Sequence, residues 1–277
     1  MQTRGVDTSL LQSHPTWGTG MILATLDPNG DATYEFDTPA AWDGLVMEAK
    51  LQGAVEGSEV VVLGSLASRL GSSDEEGATS AATIRAIRNA AGQDSVVMDI
   101  NLRPPWYEAG DVLALCRGDS DSAAPLALLK LNDDELPIVE SWCGLPTAQQ
   151  HMGEDVLRGD VIRERMVALA SSVNANRICV TRGENGAALY CAHGDVDVFV
   201  EHDGYTVSAS ESQPGSDTVG AGDSFLAALI QYLLLEGEAP EVALDRACAL
   251  GAYVANVRGA VPSHEDAPEA LRRIFAP

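Results

Sequence analysis

The stretch SDTVGAGDSF, Ser216 to Phe225, places two glycines, an alanine and an aspartate directly before FLAALIQYLLL, an apolar run of helix formers beginning at Phe225. Two readings are open. In one, the glycines form a tight turn and Asp223 caps the helix that follows. In the other, Gly220 and Gly222 remove the Cβ atoms that would hold a ligand away from the backbone, and the first N–H groups of the helix, which lack intrahelical acceptors, point at an anion. The helix dipole adds partial positive charge there, so a phosphoryl group gaining charge in transfer would meet donors already in position. A carboxylate beside bound phosphate makes chemical sense as the base for an attacking hydroxyl. The third glycine of a dinucleotide fingerprint is missing, and no G-x-x-x-x-G-K-[ST] occurs in the chain, which argues against Rossmann dehydrogenases and P-loop kinases.

Upstream, strand-like and helix-like segments alternate. Two β-like runs, Met21 to Leu26 and Ala32 to Phe36, flank the turn Asp27-Pro28-Asn29-Gly30, a hairpin signal. Buried strands are expected around Val60 to Leu63, in SVVMDIN, in LALLKLN from Leu126 and in RICVT, with a short hairpin from GAALYC to DVFVEH. Between and after them, helices are expected from Asp74 to Ala91 with Asp74 as cap, near Glu108 to Cys116, from Asn132, from Asp160 to Val173, from Asp223 to Leu235, from Pro240 to Val257 and from Ala267 to Phe275. This alternation implies an α/β fold with a mostly parallel sheet, in which ligands gather at the carboxyl ends of the strands. With no linker long enough to divide it, the whole chain of 277 residues reads as one domain.

Composition excludes several function classes. Acidic residues number 41 against 17 basic ones, a formal net charge of −24, so no broad basic surface is available for a nucleic acid. The longest apolar stretch is too short to span a bilayer and contains Gln231, and the opening residues lack the apolar core of a signal peptide. Five scattered cysteines without a C-x-x-C pair fit a reducing cytoplasm.

Four polar clusters follow the expected strands or open helices. In KLNDDE, Asn132 can cap a helix whose dipole Asp133, Asp134 and Glu135 complement, or Asn132 and Glu135, three residues apart on one face, can hold Mg²⁺ through its water shell. In TRGENG, Thr181, Gly183 and Gly186 can make a plain hairpin turn or contact nucleotide phosphates. In DINLRPPW, Asp99, Asn101 and Arg103 alternate at a strand end, so one face can present all three to a polar ligand or form an internal ion pair.

Taken in order, DINLR, NDDE, TRGENG and DTVGAGDSF resemble the PfkB family of carbohydrate kinases. The resemblance implies a ribokinase-like three-layer α/β fold with a small β lid, supplied here by the hairpin at about residues 19–38, and a homodimer formed through that lid is compatible with it. It implies an ATP-dependent kinase for a small-molecule sugar, with Mg²⁺ and, in some members, K⁺. The position of Asp223 would be the catalytic base, and the backbone at Gly220, Ala221 and Gly222 the anion hole. Asn132 and Glu135 would organise magnesium, Thr181, Gly183 and Gly186 would lie by the nucleotide, and Asp217 would stand where some members bind a monovalent cation. ANVRGAVP, with Asn256 and Gly259, is similar to the adenine-side helix and loop, and Asp99, Asn101 and Arg103 fall on the substrate side. GVDT, TGMILATLD, AWD and D-x-N-x-R are most similar to the fructokinase-like branch. The family's opening strand and Gly-Gly…Asn segment, which grip the sugar, are not found in this sequence, and the resemblance would place Met1 at a position internal to the family's domain. A nucleoside kinase of the same fold and a noncatalytic sugar- or nucleotide-binding protein are the alternatives.

Overall fold

Runs of Val, Leu and Ile bounded by turn residues become strands, and the longer Ala- and Leu-rich segments between them become helices. A computed structural model of the chain describes residues 5–26, 32–69, 79–119, 123–146, 157–192, 197–205 and 218–262. In chain order the elements are β1 (Ile22–Leu26), β2 (Ala32–Phe36), α1 (Ala49–Glu56), β3 (Val61–Gly64), α2 (Ser80–Ala90), β4 (Val96–Asp99), α3 (Ala109–Arg117) and β5 (Leu128–Asn132). They continue with α4 (Glu135–Trp142), α5 (Gly159–Val173), β6 (Arg177–Thr181), β7 (Ala187–Cys191), β8 (Val198–His202), α6 (Ala221–Leu229) and α7 (Pro240–Ala255). β1 and β2 form a small antiparallel sheet, and the other strands form a six-stranded sheet in the order β3-β4-β5-β6-β7-β8. The architecture is the mixed α/β fold expected, a mostly parallel central sheet with a two-stranded satellite.

The chain divides into two compact units, Met1–Leu129 with Val173–Ala175, and Lys130–Ser172 with Asn176–Pro277. In the first, β3 pairs in parallel with β4, Val61 opposite Val96 and Gly64 opposite Asp99. Val96, Val97 and Met98 are wholly buried, each such side chain contributing about 1.5–3 kcal/mol on leaving water. The same unit holds a buried ion pair. Arg69 Nε donates to Asp43 Oδ1 at 3.0 Å and Nη2 to Oδ2 at 2.8 Å, while Trp42 and Trp106 rings lie 4.8 and 5.0 Å from the guanidinium carbon.

In the second unit, β6, β7 and β8 form an antiparallel meander, Thr181 opposite Ala187 and Ala187 opposite His202. α7 packs on β7, β8 and α6. Gly251 permits the close approach of α7 to α6, because a Cβ there would lie 3.3 Å from Ala221 O and 3.2 Å from Phe225 Cβ. α4 and α5 are joined by a buried bidentate pair, Arg165 Nε to Glu140 Oε1 at 2.8 Å and Nη2 to Oε2 at 2.7 Å.

Three expected elements differ. The helix expected from Asp74 begins at Ser80, because Thr79 (φ −128°, ψ −5°) is not helical and donates its hydroxyl to Leu45 O at 2.8 Å; Asp74 lies outside the described residues. The helix expected from Asn132 begins at Glu135, with Asn132 the last residue of β5. The helix expected from Asp223 to Leu235 is α-helical only to Leu229 and continues as a π-helical turn, Ile230–Leu235. The Asp27–Gly30 turn and the helix expected at Ala267–Phe275 lie outside the described residues. Among the described residues no helix is long and apolar enough to cross a membrane.

Candidate active site

The turn before α6 is shaped by contact as well as by conformation. Gly220 is its N-cap, with φ +82°, a backbone region that costs an L-residue about 1–2 kcal/mol. A Cβ on Gly220 would stand 2.7 Å from Ala260 O and 2.8 Å from Ala260 Cα, so the ANVRGAVP loop is pressed against this turn. Gly220 is thus required by the fold itself. Ala221 N–H donates to Thr218 O at 3.2 Å, and Ser224 N–H to Gly220 O at 2.9 Å. The N–H groups of Gly222 and Asp223 have no backbone acceptor among the described residues, and both residues are exposed. Of the three backbone positions expected to form the anion hole, Gly222 therefore offers its donor outright, Ala221 shares one with a turn, and Gly220 provides the shape. Asp223 adds a second N–H and places its exposed carboxylate on the same turn.

Lys130, which the sequence reading passed over, lies at this turn. It is the fifth residue of LALLKLN, sits on β5 and is only 7% exposed. A Cβ on Gly222 would lie 3.4 Å from Lys130 Nζ. A positive group beside the positive end of a helix is an arrangement that favours negative charge at that spot. Also along α6, an apolar cavity of about 400 Å³ is lined by Asp223, Ala227, Gln231, Leu250, Val254 and Val261 among others.

Asn132 and Glu135 come together as a reciprocal pair. Asn132 N–H donates to Glu135 Oε2 at 2.9 Å, and Glu135 N–H donates to Asn132 Oδ1 at 2.8 Å. This is capping-box logic, each side chain satisfying the other's backbone donor at the start of α4. It fixes a buried carboxylate, 5% exposed, at the end of β5. Asp133 N–H donates to Thr181 O at 2.9 Å, tying the same turn to the end of β6. Burial raises the Asp133 carboxyl above its usual value.

In TRGENG the structure adds a residue the sequence reading left unassigned. Arg182 is 2% exposed; its Nη1 donates to Leu157 O at 2.7 Å and Glu201 Oε1 at 2.6 Å, and its Nη2 to Ala187 O at 3.0 Å and His202 O at 3.1 Å. It clamps the β6–β7 turn to β8. Gly186 (φ +80°) has His202 O 2.0 Å from where a Cβ would be, a site no other residue can fill. Gly183 (φ +55°) faces open space instead. Asn256 caps α7, its Nδ2 donating to Ala252 O, and Gly259 (φ +88°) also faces open space. Asp217 lies outside the described residues.

Asp99, Asn101 and Arg103 belong to the first unit. Their expected alternation along a strand is corrected: β4 ends at Asp99, which is buried, and Asn101 is left-handed with φ +41°. Arg103 Nη1 donates to Leu102 O at 3.1 Å.

A glycine-shaped helix N-terminus carrying a carboxylate thus stands in a unit of a mixed α/β fold with a mostly parallel central sheet. The sequence profile of the pfkB family carbohydrate kinases matches residues 1–267, and the chain belongs to that family. A fructokinase of Salmonella typhimurium is 25% identical over 267 residues, 94% of this chain and 75% of that protein. Among solved structures, the fructokinase of Xylella fastidiosa with bound ATP has a TM-score of 0.66 at 17% identity, covering 99% of this chain and 77% of that one. The aminoimidazole riboside kinase of Salmonella enterica, complexed with aminoimidazole riboside and an ATP analog, has a TM-score of 0.59 at 20% identity, covering 99% and 79%.

Proposed function

We propose that this chain transfers the γ-phosphate of ATP to the hydroxyl of a sugar in the manner of a fructokinase, with Asp223 as the base. The observation that carries the reading is the start of α6, where the N–H groups of Gly222 and Asp223 lack backbone acceptors beside the exposed Asp223 carboxylate. The sugar oxygen bonds to the γ-phosphorus as the bond to the bridging oxygen of ADP breaks, and ADP leaves with the bonding electrons. Asp223 takes the hydroxyl proton, and the two N–H groups receive the charge spread over the transferred group. The fructokinase at 25% identity and the ATP-bound fructokinase of like fold support ATP and a sugar as the two substrates.

Magnesium fits this site as a water-carrying ion. Among the described residues no group of three His, Cys, Asp or Glu could cage a metal, whereas Asn132 and the buried Glu135 stand together at the end of β5. These two would hold it through its waters, and when bound it would neutralise charge on the phosphates. The five dispersed cysteines support a cytoplasmic location.

The likeness in fold to a riboside kinase favours a nucleoside as the second reading of the acceptor. The deciding experiment incubates the full chain with ATP, Mg²⁺ and, separately, fructose, ribose and adenosine, following ADP release and the product by ³¹P NMR. Phosphorylation of fructose is expected. Transfer to adenosine alone would reassign the acceptor, and transfer to none of these sugars or nucleosides would overturn the reading.

A further inference from the structure

The cavity along α6 has no part in the chemistry above. It holds about 400 Å³, lies wholly within the second unit and falls in the size range of small-molecule sites. Asp223, Ala227 and Gln231 line it at four-residue spacing, one stripe of the helix about 12 Å long. α7 adds Leu250 and Val254, and the loop after it adds Val261, a valine left 63% exposed. Gln231, at the far end, belongs to the π-helical turn, a departure from the α period that recurs at functional sites. Of the turn before α6, Asp223 and Ser224 line the cavity, whereas Gly220, Ala221 and Gly222 do not. The cavity therefore opens on the side of the carboxylate and not on that of the glycine backbone. A free hexose suits it poorly, because a hydroxyl seated between Asp223 and Gln231 meets alanine, leucine and valine and forfeits the hydrogen bonds it makes in water.

We propose that this cavity binds an apolar aglycone, so that the preferred acceptor is an aryl glycoside with a free hydroxyl rather than a free sugar. The inference rests on the kinase reading above. The reacting hydroxyl lies at Asp223, and the aromatic ring runs along α6 past Ala227 and Val254, where it leaves water for an apolar lining. A free sugar still presents its hydroxyl to Asp223 but leaves the cavity unfilled. The ring holds the sugar in place from a point remote from the reacting oxygen, and that binding appears in kcat/KM.

The test measures ADP release by the full wild-type chain with ATP and Mg²⁺, pairing fructose with phenyl β-D-fructofuranoside and ribose with phenyl β-D-ribofuranoside. In the pair that reacts, kcat/KM for the phenyl glycoside is expected to exceed that for the parent sugar about tenfold or more, the effect of burying one ring. Ala227→Leu and Ala227→Met then fill the cavity from an exposed position of α6. Each is expected to lower the ratio of phenyl glycoside to parent sugar about tenfold, with KM for ATP within about threefold of wild type and the melting temperature recorded beside it. Equal kcat/KM for a sugar and its phenyl glycoside in wild type overturns the inference and leaves the kinase reading standing. A folded Ala227 variant with an unchanged ratio overturns it too, and if KM for ATP rises instead, the cavity takes the adenine. Transfer to no sugar, with or without the aryl group, overturns the kinase reading and this inference with it.

Discussion

Gly220 and Gly222 stand two residues apart in the same motif, yet alanine at each is expected to fail for different reasons. At Gly220 an added Cβ meets Ala260 O at 2.7 Å and Ala260 Cα at 2.8 Å, on a backbone with φ +82°. The left-handed conformation costs an alanine about 1–2 kcal/mol. Displacing the Ala260 backbone adds a strain on the order of 1–3 kcal/mol, for a total of roughly 2–5 kcal/mol. At Gly222 the φ is ordinary, the position is within the first turn of α6, and among the described residues the neighbour an added Cβ meets is Lys130 Nζ at 3.4 Å. Alanine there also gains up to about 1 kcal/mol of helix propensity, so stability should change little. Thermal unfolding separates the two: Gly220→Ala is expected to melt on the order of 5–10 °C below wild type and Gly222→Ala within about 3 °C of it. On the kinase reading, turnover of Gly222→Ala is expected to fall about 10-fold or more, because the methyl group crowds the N–H proposed to meet the transferred phosphate. A Gly220→Ala protein as stable as wild type would refute the contact with Ala260. A destabilised Gly222→Ala would refute the placement of Lys130 beside it.

Other consequences follow from the second unit. Arg165→Met strips the partner from Glu140, whose side chain is 1% exposed, and is expected to cost about 3–5 kcal/mol in urea unfolding, with much of the loss recovered in Arg165→Met/Glu140→Leu. Burial pushes the Cys191 thiol up to about 11 from an ordinary value of 9.0. With the folded value raised, the stabilising contribution is whole below pH 9 and is lost as pH rises toward 11; Cys191→Ala is expected to flatten that alkaline decline in the urea midpoint. Burial also raises Asp133, from 3.8, so ionisation there opposes folding once pH exceeds that value. Asp133→Asn is expected to raise the urea midpoint at pH 7 and to lose that advantage below pH 4.

The parts of this fold that were legible in the sequence are those set by short-range chemistry. The reciprocal bonds of Asn132 and Glu135 lie within one turn, so an N-x-x-E spacing after a strand announces them. The β6–β7 hairpin is announced by Gly183 and Gly186, residues whose left-handed φ values few others adopt. What was hidden depends on neighbours distant in the chain. Lys130 reads as one polar residue in an apolar strand until α6 places Gly222 beside it, and Arg182 reads as loop until carbonyls from β7 and β8 surround it. Asn101 shows the opposite error: period-two spacing suggested a continued strand, but its φ of +41° ends the alternation two residues after β4 stops. Helical composition likewise carried no sign of the π-helical turn after Leu229, since the same residues satisfy either hydrogen-bond period.

The central claim is that the carboxylate at the start of α6 performs the proton transfer. Its most direct test is Asp223→Asn, which keeps the size and the N–H of the residue and removes only the basicity. Phosphoryl transfer to the sugar that wild type accepts is expected to fall on the order of 10²–10⁴-fold, with ATP affinity measured by calorimetry essentially retained. An Asp223→Asn protein that turns over at the wild-type rate would contradict the account.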